Sequence, residues 1–140
     1  MGTWKSLHLW LEKDQFLSSF NWAYTFKLKR IYRTQEREAF KGRIYVYLKN
    51  GYRNSEYNVM LLSRDMGMSR SQVFRKCKYL LGKSPVQLLR SYRLEKSMEF
   101  FNRGIYNVTE IAYLSGFSSS SYFCKSFKKK YRYLPSRLTA

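Results

Sequence analysis

The sequence predicts an all-α fold made of two helix-turn-helix units joined by a long helix. Three observations carry this. No segment from Asn58 onward alternates with a period of two. Polar caps and glycines punctuate that stretch at helix-length intervals. A short motif also recurs about 49 residues farther along. The 140 residues include 27 Lys or Arg against 9 Asp or Glu, a net charge of +18. That length suits one compact domain or two very small ones, not a large enzyme fold. With 44% hydrophobic and 19% aromatic residues, the chain has apolar mass that a disordered basic tail lacks.

Within the first fifty residues, Trp4, Leu7, Trp10 and Leu11 recur at helical spacing and predict a short amphipathic helix. Gln15–Phe26 is too short an uncharged run to cross a bilayer. Leu7–Leu11 is too brief for a signal-peptide core, and acidic residues follow at once. Lys27–Lys49 mixes charge with Ile44–Leu48, and its end reads as a helix stopped by Asn50-Gly51, although the β-branched content would also allow a strand. Residues 1–39 form an aromatic, basic extension without an assigned role, and residues 40–140 the main domain. Both parts are basic: residues 1–50 carry a net +6 and residues 51–140 a net +12.

From Asn58 the elements follow in order. Asn58 caps a helix from Val59 that Gly67 ends, and Ser69 caps a second, Arg70–Leu81, ended by Gly82. Ser84-Pro85 opens a longer helix to Arg103, since proline is tolerated at the first helical position, and Gly104 stops it. Asn107 and Glu110 have capping-box spacing and open a fourth helix that ends at Gly116. Ser118 or Ser119 caps a fifth, to about Tyr131, and Leu134-Pro135 starts a last turn.

The repeat sets the architecture. Val59, Leu62, Ser63, Gly67, Met68 and Ser69 match Val108, Ile111, Ala112, Gly116, Phe117 and Ser118 at an offset of 49. Val73, Arg75, Cys77, Lys78 and Pro85 match Phe123, Lys125, Phe127, Lys128 and Pro135 at an offset of 50. One residue has entered the turn of the second copy, where length varies most readily. Each copy is a helix, a glycine-containing turn and a second helix, which is a helix-turn-helix. These units span 59–81 and 108–131, with the linker helix 85–103 between them.

The second helix of each copy has one apolar and one cationic face. Val73, Cys77, Leu80 and Leu81 share a stripe opposite Ser71, Arg75, Lys78 and Tyr79. Phe123 and Phe127 lie opposite Ser121, Lys125, Lys128 and Lys129. A solvated face usually mixes signs, whereas these two helices contain no Asp or Glu. That pattern suits phosphates and the acceptor-rich major groove, so the predicted partner is a polyanion, nucleic acid ahead of membrane.

On these residues the chain resembles the DNA-binding domain of AraC/XylS-type bacterial transcription regulators. The resemblance covers residues 58–135. It rests on Gly67-Met68-Ser69-Arg70-Ser71, Phe74-Arg75-Lys76, Gly82-Lys83-Ser84-Pro85 and Arg93-Leu94. In the second copy it rests on Asn107-Val108, Glu110-Ile111-Ala112-Tyr113, Gly116-Phe117-Ser118-Ser119, Ser121-Tyr122-Phe123 and Lys125, with Phe127-Lys128. The family implies about seven helices, the first supplied here by residues 40–49. It also implies sequence-specific binding of promoter DNA by recognition helices in successive major grooves, roughly 34 Å apart.

Carried over by position, the base-facing residues are Arg70, Ser71, Phe74 and Arg75, then Ser120, Ser121, Cys124 and Lys125. Arg75 is the strongest candidate for a direct contact, since a guanidinium bridges O6 and N7 of guanine. Lys78, Lys128 and Lys129 are assigned to phosphates, and so are the helix starts at Ser84 and Asn107. The implied partner is double-stranded DNA in the bacterial cytoplasm, at the nucleoid, with RNA polymerase as a further candidate and no membrane. Three positions depart from the family pattern: Ser115 for an apolar residue, Arg132 for glycine and Ser97 for alanine. Forty residues are too few for the sensory or receiver domain that usually lies upstream. The chain is therefore expected to be either a minimal regulator or the remnant of a longer hybrid sensor-regulator, binding nucleic acid weakly or without specificity.

Other chemistry finds no support in the residues. Cys77 and Cys124, without a close partner, read as small residues in or beside the core and fit a reducing compartment. His8 has no neighbouring nucleophile, and no paired acids, phosphate loop or metal-ligand pattern occurs, so neither an enzyme, a cofactor nor a metal is expected. Met98, Phe100 and Phe101 read as packing surface. The aromatic N-terminus reads as a cover over the first subdomain, with a partner-binding or dimer face as the alternative.

Overall fold

A computed structural model describes residues 21–104 and 107–139 of the chain. Among them are six α-helices, one π-helical segment and a closing 3₁₀ turn, with no strand. The first helix, α1, runs Asn21–Gly51. A boundary between compact units falls between Ala39 and Phe40. On its N-terminal side, the helical stretch 21–39 exposes Tyr24, Phe26, Leu28, Ile31 and Tyr32. The amphipathic helix predicted around Trp4–Leu11 lies outside the described residues.

Beyond the boundary, Phe40, Ile44 and Leu48 recur every four residues and are buried, so Ile44–Leu48 adopts the helical alternative. Helix α2 is Val59–Asp65, with Asn58 Oδ1 accepting from the N–H groups of Met60 and Leu61. Helix α3, Arg70–Lys76, is capped by a Ser69/Gln72 box and continues as a π-helix, Cys77–Leu81. The predicted single helix 70–81 thus changes winding in its last five residues. Cys77 and Leu80 stay buried through that wider turn while Lys78 and Tyr79 stay outside.

Helix α4, Pro85–Arg103, begins at a Ser84/Gln87 capping box and ends at Gly104 with φ 68°. Helix α5, Val108–Leu114, begins at the Asn107/Glu110 box, and α6, Ser120–Tyr131, is capped by Ser119. Ser69 and Ser119 therefore correspond, and Ser118 is the inserted residue. The chain closes with the 3₁₀ turn Pro135–Leu138.

Two cores result. The first gathers Ile44, Leu48, Leu62, Met66, Val73 and Cys77, together with Leu88, Leu89 and Tyr92 from the first half of α4. The second gathers Ile111, Phe117, Phe123 and Phe127, together with Leu94, Phe100 and Phe101 from the second half of α4. Met98 packs against this core, so the apolar residues of α4 are packing surface, as the sequence predicts. Each fully buried Leu, Ile or Phe contributes about 1.5–3 kcal/mol. The second core adds edge-on aromatic pairs, such as Phe117–Phe123 at 5.1 Å and Phe101–Phe127 at 5.7 Å.

Arg93 sits where α4 passes from one core to the other. Its Nε donates to the Tyr52 carbonyl at 2.9 Å, and its Nη2 to those of Asn54 and Tyr57 at 2.8 and 3.2 Å. Three carbonyls of the loop between α1 and α2 are thereby held to the linker helix. Gly116 lies against the same carbonyl: a Cβ there would stand 1.7 Å from Tyr52 O, and φ is +85°. No other residue type fits that place without moving the loop.

Candidate nucleic-acid interface

The two glycine turns aim α3 and α6. Gly67 N–H donates to Arg64 O and Met68 N–H to Ser63 O; Gly116 N–H donates to Tyr113 O and Phe117 N–H to Ala112 O. Both turns thus close with the same pair of bonds and a left-handed glycine. Val73 and Cys77, like Phe123 and Phe127, are wholly buried and fix which face of each second helix remains outside.

On the outer face of α3, Arg70, Ser71, Phe74 and Arg75 are exposed, Phe74 by 48%. On α6, Ser121 and Lys125 are exposed and Ser120 and Cys124 half-buried. Lys78, Lys128 and Lys129 are exposed as well. Cys77 and Cys124 are both free thiols, and burial pushes the Cys77 thiol up to about 11. Among the described residues, no three His, Cys, Asp or Glu side chains come together to hold a metal ion. No helix there is long and apolar enough to cross a membrane.

The predicted phosphate sites at helix starts are partly occupied by the chain itself. Ser84 Oγ accepts from Gln87 N–H, and Ser84 N–H donates to Gln87 Oε1 at 2.8 Å. Asn107 Oδ1 accepts from Glu110 N–H at 2.8 Å, and Asn107 N–H donates to the Glu110 carboxylate. That carboxylate offsets part of the positive end of α5.

Between the two units lies a groove of about 530 Å³. It brings Lys78 of the first unit together with Lys125 and Lys129 of the second. Lys83, Arg90 and Lys130 also line it, and no carboxylate does. Sequence reasoning missed Lys83 and Arg90 because neither lies on a recognition helix; the only local signal was Lys83 directly after the Gly82 stop.

The groove is held in shape by bonds between α4 and α6. Arg90 Nη1 donates to the Tyr122 hydroxyl at 3.1 Å, which lowers the phenol's pKa. Lys130 Nζ reaches Glu95 Oε1 and Ser91 Oγ, both at 2.7 Å, and Tyr131 Oη donates to Leu94 O at 3.3 Å.

Comparison with known proteins places this geometry. A family model described as a helix-turn-helix domain matches residues 62–140. The uncharacterised HTH-type transcriptional regulator YdeC of Bacillus subtilis is 37% identical over 68 residues, 49% of this chain and 23% of that protein. The chain therefore spans about a quarter of that relative's length. The C-terminal domain of the two-component response regulator yesN from Fusobacterium nucleatum superposes with a TM-score of 0.67. It is 24% identical, and the match covers 73% of this chain and 99% of that one. The DNA-binding domain of the global transcriptional factor AdpA, solved with a target DNA, superposes with a TM-score of 0.64. It is 21% identical over 70% of this chain and 87% of that one, a likeness of fold.

Proposed function

The chain belongs to the AraC-type helix-turn-helix family, and from that premise we propose that it is a transcription regulator binding a specific, asymmetric site on double-stranded DNA. Recognition helices α3 and α6 enter successive major grooves on one face of the duplex. The observation that carries this reading is the pairing of two helices with buried apolar stripes and exposed faces free of carboxylates.

Arg70, Ser71, Phe74 and Arg75 of α3 face bases, with Arg75 on a guanine and Phe74 suited to a thymine methyl. Ser120, Ser121, Cys124 and Lys125 of α6 read the second groove. Lys78, Lys128 and Lys129 hold phosphates and set register. Ser84 and Asn107 cap their own helices, so a phosphate contact there falls to the free N–H groups of the first turn. The partner is DNA in the cytoplasm at the nucleoid; contact with RNA polymerase belongs to the same proposal. The domain division is residues 1–39 and 40–140.

Site selection from random duplexes tests the reading. A preferred sequence about two helical turns long is expected, with Arg75→Ala relaxing the preference at one guanine by about 1–3 kcal/mol. The rival reading is a remnant that binds through charge alone. It gives no preferred sequence, and an Arg75→Ala loss equal for every duplex.

A further inference from the structure

We infer that the cationic groove between the two helix-turn-helix units holds the phosphodiester strand crossing from one major groove to the next, with Lys83 and Arg90 as its principal contacts. This rests on the DNA-binding reading above and adds two contacts, Lys83 and Arg90, that neither recognition helix supplies. Two successive major grooves on one face are separated by a minor groove edged by both strands. A protein that reads both must cover those phosphates, roughly one charge per 3.4 Å of axis on each strand.

The groove is chemically matched to that row of anions. Lys78, Lys83, Arg90, Lys125, Lys129 and Lys130 line it without a single carboxylate. Ordinary solvated surface mixes signs, as α4 does farther along with Lys96 and Glu99. Lys130 is already paired with Glu95 and acts as a brace. Arg90 gives one N–H to Tyr122, and a guanidinium carries five donors in a fork that fits a phosphate. Lys83 is exposed where the chain leaves the left-handed turn at Gly82. Because Arg90 stands on α4 and holds α6 through Tyr122, a phosphate bound there is coupled to the placement of the second recognition helix.

The test uses the full chain and the duplex found by site selection. Lys83→Gln and Arg90→Gln are compared with wild type by titration at several salt concentrations, with Lys49→Gln as a control of equal charge change. Each groove variant is expected to bind several-fold more weakly, equally for matched and mismatched duplexes. The slope of log K against log salt should become shallower by about 0.9 per contact removed. Methylphosphonate at the central phosphates should weaken wild type, and should weaken Lys83→Gln by a smaller factor, since Arg90 remains. Lys83 makes no hydrogen bond or ion pair among the described residues, so its variant stays informative if Arg90→Gln disturbs α6.

Unchanged affinity and slope in both variants, with wild type still preferring its site, would overturn this inference and leave the DNA-binding reading standing. Absence of any preferred site in wild type overturns both. Tripolyphosphate is the arm for a free anion. Tight saturable binding that Lys83→Gln abolishes, with methylphosphonate without effect, assigns the groove to a small polyanion and overturns the strand assignment.

Discussion

Met66 and Ser115 occupy the same place in the two helix-turn-helix units, and so do Gly82 and Arg132; each time the second unit has the costlier residue. Met66 is 1% exposed and completes the first core. Ser115 is wholly buried, and its hydroxyl finds no hydrogen-bond partner among the described residues. Gly82 ends the first recognition helix in the left-handed region at φ 69°, whereas Arg132 is forced there at φ 71°. An unsatisfied buried hydroxyl costs about 1–3 kcal/mol and a side chain in that region about 1–2 kcal/mol.

The third departure, Ser97, is buried too but costs less, because its hydroxyl donates to Leu94 O at 2.6 Å. The second unit is held by its neighbours instead, through Arg90–Tyr122, Lys130–Glu95 and the seat of Gly116 on the Tyr52 carbonyl. The duplicated plan is therefore preserved by contacts between the halves, not by equal stability within each.

Four substitutions break or sharpen this contrast. Gly116→Ala should be the most damaging, destabilising the domain by at least about 3 kcal/mol, since the new methyl meets the Tyr52 backbone first and also the Arg93 Nε bonded to it. Gly67→Ala, at the matching turn but with open space around it, should cost only about 1–2 kcal/mol of backbone strain. Urea titration of the pair measures the difference; equal losses would remove the asymmetry.

Ser115→Ala should stabilise by about 1–2 kcal/mol, a rise in Tm of about 4–8 °C per kcal/mol, because it deletes an unsatisfied hydroxyl without adding volume. A fall in Tm would mean that the hydroxyl has a partner after all. Arg132→Gly should give the smallest gain, about 0.5–1 kcal/mol. Relief of strain is partly offset there by the freer unfolded chain. Thermal melts resolve the sign.

What was legible in the sequence was what local chemistry decides. Asn58, Ser69, Ser84 and Asn107 cap helices because a polar oxygen reaches an amide two or three residues on, a relation visible in the sequence itself. The 49- and 50-residue offsets exposed the duplication for the same reason. Ser118 and Ser119 both had the right chemistry, and only the position of Phe117 in the core makes Ser119 the cap. The π winding of Cys77–Leu81 left no mark in spacing alone.

The Arg93 bonds were illegible because they join residues 36 to 41 positions apart. Gly116 was expected as a helix stop, but its tight seat on Tyr52 depends on where α4 brings that loop. The exposed faces of α3 and α6 could be read from periodicity. The groove that joins them could not, since Lys83 and Arg90 become neighbours of Lys129 only through the docking of α6 on α4.

The central claim is that two helices read two grooves on one face of a duplex. Guanine-methylation interference on the selected site tests it directly. Two clusters of interference are expected on one face, about 10.5 base pairs apart. Arg75→Ala should weaken the first cluster alone, and Lys125→Ala the second. A single cluster, clusters on opposite faces, or both variants acting on the same bases would contradict the account.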